Sequence, residues 1–174
     1  LMITSLTTIG NGISNYTGQN LGAGKLKRIH PGYTSGIKIV LTICIPFVLL
    51  YILIGKELLY LFGKSMSNEA INVGMKFLRI VSTFYFIIAT KITADGIFRG
   101  SSKMIWFMFS TFTDLILRVI LAFILSKPFG IVGVWCAWPI GWVISASFSF
   151  CFYNFMIKNK NERLTLEETE QSIE

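Results

Sequence analysis

The sequence predicts an all-α fold: a polytopic transmembrane helix bundle of about five spans. Three observations predict it. Of 174 residues, 53% are hydrophobic and only 14% charged, with a mean hydropathy of +0.63, whereas a water-soluble domain carries about 25% charged residues. Residues 128–157 hold no charge at all, and a helix crosses a bilayer with about 20 apolar residues. Apolar runs also alternate with short segments rich in Gly, Pro and Lys. An ordinary soluble globule is excluded, and so is a disordered chain, which lacks such apolar content.

The spans follow in order. The first, about 1–18, is the weakest, being rich in Thr, Ser, Asn and Gly. The second, 33–55, is charge-free from Ile39 onward. The third, 72–97, is interrupted by Lys91 and Asp95, and the fourth, 104–126, by Asp114 and Arg118. The fifth covers 130–157, and a polar, acidic tail fills 158–174. Gly22, Gly24, Pro31 and Gly32 separate the first pair, and Gly55 to Asn68 the second. Gly100–Lys103 and Lys127-Pro128 make the tight third and fourth turns. Pro46 and Pro139 fall inside spans, where neighbouring helices satisfy the freed carbonyls, so they predict kinks.

Net charge is +7, but five of the nine acids lie in the tail, and residues 1–161 hold fifteen basic and four acidic residues. The bases flank apolar runs, which points to anionic lipid headgroups and away from nucleic acid. The first, third and last polar segments carry eight Lys and Arg against four in the second and fourth. By the positive-inside rule the GAGK loop and the tail face the cytoplasm of a multi-pass cell-membrane protein. The chain opens directly into an apolar segment with no basic leader, which reads as the C-terminal piece of a longer transporter-like chain.

Cys44, Cys136 and Cys151 lie far apart inside apolar runs without metal-ligand spacing. With one His and neither G-x-S-x-G nor H-E-x-x-H, no enzyme, catalytic residue, metal site or organic cofactor is expected.

Several residues stand out in this apolar setting. Thr4, Thr8, Asn11, Asn15 and Gln19 recur at helical spacing opposite Met2, Leu6, Ile9, Ile13 and Tyr16. This stripe is either the wall of a solvated substrate cavity or interhelical hydrogen-bonding glue beside Gly10 and Gly18. The run GQNLGAGK, 18–25, departs from a nucleotide-binding phosphate loop because Gln19 takes a required glycine position and Leu26 follows Lys25. Gly22-Ala23-Gly24 instead permits a tight reversal, with Gln19 and Asn20 bonding carbonyls at the helix end.

Charges inside a span are costly and mark function by default. Lys91, Asp95 and Arg99 share one helix face, and Asp114 and Arg118 another. Lys91, Asp95, Asp114 and Arg118 are therefore either a charge network that couples ion movement to helix movement or local pairs that make insertion tolerable. Lys91 and Asp114 stand at one depth on antiparallel neighbours and are expected to pair. Trp135, Trp138 and Trp142 share a face and read as belt anchors or packing residues rather than stacking sites for a substrate. His30, before Pro31 at the interface, reads as a surface residue rather than a proton relay.

GQNLGAGKLKRI resembles the Q-x-x-GAG-x-x-x-R-x loop of the multidrug and toxic compound extrusion (MATE) family. ADGIFRGSSK, 94–103, looks like that family's hydrophobic-RG loop between its tenth and eleventh helices. STFTDLILRVILAF and GVWCAWPIGWV are similar to the eleventh and twelfth helices of clostridial-type members. The resemblance implies the C-terminal lobe of a twelve-helix, two-lobed carrier from its eighth helix onward, completed by an N-terminal lobe of the same chain. It implies multidrug efflux by a secondary antiporter, with small, often cationic organic compounds exchanged for Na⁺ or H⁺. Some members place a cation-binding acid in the tenth helix, but the matching stretch Phe84–Ile88 has none. Two alternatives remain at this level. A flippase for lipid-linked sugars would line its lumen with Lys91, Arg99 and Arg118, and a non-transporting membrane subunit would pack the polar stripe dry.

Overall fold

The computed structural model describes the backbone of residues 2–62 and 67–171 and the side chains of 2–61 and 67–156. The described residues form six helices: α1 (Met2–Gly22), α2 (Ile29–Leu53), α3 (Gly55–Phe62), α4 (Asn68–Thr83), α5 (Tyr85–Gly100) and α6 (Met104–Gln171). A 3-10 turn, Leu26–Arg28, precedes α2. No strand occurs among the described residues.

The GAGK reversal uses glycine as its sequence requires. Gly24 sits at φ 69°, a left-handed conformation that costs glycine little, and Lys25 N–H donates to the Asn20 carbonyl at 2.8 Å. The Asn20 side chain donates to the Tyr16 carbonyl. Pro31 and Gly32, expected as separators, lie inside α2 instead. Proline is tolerated in a first helical turn, where its missing N–H would have no partner anyway. Gly32 in turn receives the Tyr16 ring so closely that a Cβ would collide with it.

The expected second loop, Gly55 to Asn68, contains the short helix α3. Ser67 then caps α4, accepting from Ala70 N–H at 3.2 Å. The expected single span 72–97 is two helices bent by 50° about Phe84. No proline causes this. Ser82 and Thr83 both donate side-chain hydroxyls to the Arg79 carbonyl, and such back-bonding bends helices. At the next turn Ser102 adopts φ 57°, while Ser101 and Lys103 N–H close onto the Ile97 and Phe98 carbonyls.

Helix α6 folds back on itself. Gly130, at φ 57° and ψ −136°, is its one described non-helical residue, just past Pro128. Across the reversal Trp106 packs on Phe152, Phe109 on Phe148 and Arg118 on Trp138, so residues before and after Gly130 form antiparallel arms. The backbone stays helical to Gln171, past the expected end of the fifth span at 157.

Contacts fix the remaining directions. Tyr16 meets Gly32 and Ile13 meets Gly36, so α1 and α2 run antiparallel. Gly10 faces Ile92 and Gly96, while Ser14 faces Gly100, so α1 and α5 run parallel at very close approach. A Cβ at Gly96 would lie 2.6 Å from the Gly10 carbonyl oxygen. Phe77 meets Trp135 and Tyr85 meets Trp142, aligning α4–α5 with the second arm of α6. The GAGK loop, the Gly100–Lys103 turn and the end of the second arm therefore gather at one end of the bundle. Helix α3 and the Gly130 reversal lie at the other.

By length and apolarity Leu26–Leu53 and Met104–Met156 can cross a membrane, as can α4 with α5 if the bent pair is one span. With α6 folded at Gly130 these make four crossings. Helix α1 has the length, 21 residues, but not the apolarity, and its place is set by packing between α2 and α5. Two buried clusters hold the bundle, one around Leu6, Val40, Cys44, Ala89 and Trp142, the other around Ile97, Phe98, Tyr33 and Tyr153.

Candidate functional site

Two polar arrays cross this apolar bundle. On α1 the face toward α2 and α5 is Met2, Leu6, Gly10, Ile13 and Thr17, all buried. The opposite residues Thr4, Thr8, Asn11, Asn15 and Gln19 are all exposed. Gly10 and Gly18 belong to the packed side, so the stripe is not glue between α1 and its described neighbours. Asn11 is the exception, accepting from Arg99 Nη1 at 2.9 Å.

The second array is enclosed. Lys91 and Asp95 on α5 are 6% and 5% exposed, and Lys91 Nζ donates to Asp95 Oδ2 at 2.5 Å. Ser149 Oγ donates to the other carboxylate oxygen at 2.9 Å. With the Ser149 hydrogen committed to Asp95, Ser110 Oγ on the first arm of α6 donates to Ser149 Oγ at 2.7 Å, with the Ser145 carbonyl a second acceptor beside it at 3.2 Å. A continuous chain of hydrogen bonds thus ties α5 to both arms of α6. Buried charges of this kind are tolerated only when paired and hydrogen-bonded.

One turn beyond Ser110, Asp114 Oδ2 accepts from Arg118. The guanidinium of Arg118 lies over the Trp138 ring, 4.5 Å from its centroid. Among the described residues Asp114 Oδ1 is buried without a hydrogen-bond partner, and it faces Gly141, where a Cβ would come within 2.8 Å. The side chains of Asp114 and Arg118 are 13% and 26% exposed, so this pair is less sealed than Lys91–Asp95.

The expected cross-helix pair of Lys91 and Asp114 is not formed. Each acid takes the base on its own helix, because an i, i+4 partner is already within reach while a neighbouring helix must be brought there by packing. Arg99 leaves the Lys91–Asp95 pair for Asn11 and the Phe107 ring. Lys91 and Arg118 are thus matched within their own helices, while Arg99 reaches the exposed stripe of α1 through Asn11. The tryptophans pack inward: Trp142 is 2% exposed and stacks on Tyr85, and Trp135 meets Phe77 edge-on. His30 Nδ1 lies 2.8 Å from the buried Tyr153 hydroxyl. Ser110, Ser145 and Ser149 were not singled out from sequence. Their signal was present, since Ser145 and Ser149 are one turn apart and Ser110 precedes Asp114 by one turn.

Residues 1–124 match the family model of MatE. Over 156 residues the chain is 24% identical to the probable multidrug resistance protein YoeA of Bacillus subtilis (strain 168), covering 88% of this chain and 33% of that one. Its fold matches, with a TM-score of 0.78 and 22% identity, a multidrug resistance MATE family transporter of the MOP superfamily solved in an inward-facing conformation. That match covers 91% of this chain and 39% of the transporter. The chain therefore spans between a third and two fifths of these relatives' length.

Proposed function

The chain belongs to the MatE family, and from that premise we propose that it forms the C-terminal lobe of a multidrug efflux secondary transporter. The lobe would exchange small organic, often cationic compounds for inward-moving Na⁺ or H⁺. The observation that carries this reading is the exposed stripe of α1. Thr4, Thr8, Asn11, Asn15 and Gln19 face away from every described helix, apart from the Asn11–Arg99 bond. Hydrocarbon offers such groups no partners, so the stripe meets water or another polar surface. A cavity wall completed by an upstream lobe of the same chain satisfies that need. Alternating access then follows from one repeat moving against the other around the cavity.

The coupling role falls to Asp114. Asp95 is held by Lys91 and Ser149 at once, whereas Asp114 keeps one oxygen unpartnered. A proton or sodium ion arriving at that oxygen would weaken the hold on Arg118, whose guanidinium lies over Trp138 of the other arm, and so loosen that contact between the arms of α6. The bundle end bearing the GAGK loop, with the tail from 158 onward, faces the cytoplasm on this reading, in keeping with its Lys and Arg.

The test is ion-driven dye efflux by the full-length protein in vesicles. Asn11→Leu with Asn15→Leu is expected to change which dyes are carried while leaving the protein folded, and Asp114→Asn to abolish coupling at normal expression. Wild-type efflux in both variants would overturn the assignment.

A further inference from the structure

At the end of α2 away from the GAGK loop lies a cavity of about 520 Å³, lined by Ile52, Leu53, Lys56, Glu57, Lys76 and Arg79, with Asn72 and Met75. Its size falls within the roughly 300–1,000 Å³ range of ligand clefts. The residues come from three elements. Ile52 and Leu53 end α2, Lys56 and Glu57 open α3, and Asn72, Met75, Lys76 and Arg79 form one face of α4 at helical spacing. Helix α4 makes no contact with α1 among the described residues, so this cavity is separate from the polar stripe.

Three cations converge here against one acid. None of Lys56, Lys76 and Arg79 takes part in an ion pair among the described residues, unlike Lys91 and Arg118, which are matched within their own helices. Lys56, Lys76 and Arg79 are all exposed, so the cleft presents a positive surface that an anionic ligand complements. The rim states which kind: Ile52 is 45% exposed, Leu53 74% and Ile54 48%, an apolar surface continuous with the charged cleft. A soluble anion gains nothing from that surface, whereas a lipid covers it with an acyl chain.

We propose that this cavity binds the phosphate headgroup of an anionic phospholipid through Lys56, Lys76 and Arg79, with an acyl chain along Ile52 and Leu53. Arginine suits the task because its planar fork meets two phosphate oxygens at once. Glu57 disfavours a second negative charge and limits the site to headgroups of modest charge. Such a lipid would fill the junction of α2, α3 and α4 just ahead of the Phe84 bend. The site is independent of what the transporter carries.

Native mass spectrometry of the full-length protein tests it, with phosphatidylglycerol and phosphatidylcholine of identical acyl chains as probes. Phosphatidylglycerol is expected to bind more tightly. Lys76→Gln with Arg79→Gln should weaken it about 25-fold, at about fivefold per cation removed, and Glu57→Gln should strengthen it. If the double variant does not fold, Lys56→Gln on the exposed helix α3 should still show the fivefold loss. Equal affinity for the two lipids, or unchanged affinity in the variants, overturns the proposal. So does displacement of phosphatidylglycerol by millimolar inorganic phosphate, which would make this a site for the free anion.

Discussion

The stripe on α1 and the network between α5 and α6 both place polar side chains among apolar neighbours, hydroxyls and amides in the first and hydroxyls with a charged pair in the second, and the molecule treats them oppositely. On α1 the polar face is open and its side chains bond locally, Thr7 and Thr8 both donating to the Thr4 carbonyl. On α5 the polar residues are sealed, and Asp95 is saturated by Lys91 and Ser149. The difference follows from position in the bundle. Helix α5 packs against α1, α2 and α6, so Ile88 to Phe98 is almost wholly buried, and any charge there must carry its own partner. Among the described residues helix α1 packs on one side only. A polar residue in a membrane helix therefore marks either an open surface or a lock, and only the neighbours tell which.

The largest expected effect tests the lock. Asp95→Leu leaves the Lys91 ammonium buried without a counter-charge, which should destabilise the protein by about 3–5 kcal/mol. Lys91→Met with Asp95→Leu should recover most of that loss. Asn15→Ala on the open stripe should stay within about 0.5 kcal/mol of wild type. Melting of the full-length protein, followed by size-exclusion fluorescence, reads all three, and a destabilised Asn15→Ala would erase the distinction between the arrays.

A smaller effect separates the two faces of α1 through their glycine contacts. Gly96→Ala places a methyl 2.6 Å from the Gly10 carbonyl oxygen, and overpacking of this kind costs about 1–3 kcal/mol. Gly12, on the open side, has nothing within 4 Å, so Gly12→Ala should stabilise α1 by about 0.5–1 kcal/mol through helix propensity. Opposite signs in the same melting assay would sharpen the comparison.

The smallest effect concerns the links inside the network. Ser110→Ala removes the hydroxyl that joins Ser149 to the Ser145 carbonyl. Interhelical hydrogen bonds in membranes average about 0.6 kcal/mol and reach about 1.7. A loss in that range, with ion-driven efflux retained, would make the serines positioning groups; loss of efflux without destabilisation would place them in the coupling path.

Sequence by itself determined the helical class, the apolar runs of α2, α4–α5 and α6, the glycine-dependent GAGK reversal and the polar face of α1. Each of these depends on local chemistry: hydropathy over about 20 residues, a positive φ at Gly24, and a periodicity of 3.6. It misread Pro31 as a boundary and gave the span 72–97 without its bend, although the Ser82-Thr83 pair was in view. Only the tertiary structure decided how the charges are matched. Lys91 pairs with Asp95 rather than Asp114, Arg99 crosses to Asn11, and Ser149, 54 positions along the chain, completes the Asp95 shell. Spacing gives depth and face on one helix, but the partner across an interface depends on how neighbouring helices rotate and approach. Here that approach is set by Gly10, Gly96 and Gly100, whose missing side chains let α1 and α5 meet backbone to backbone.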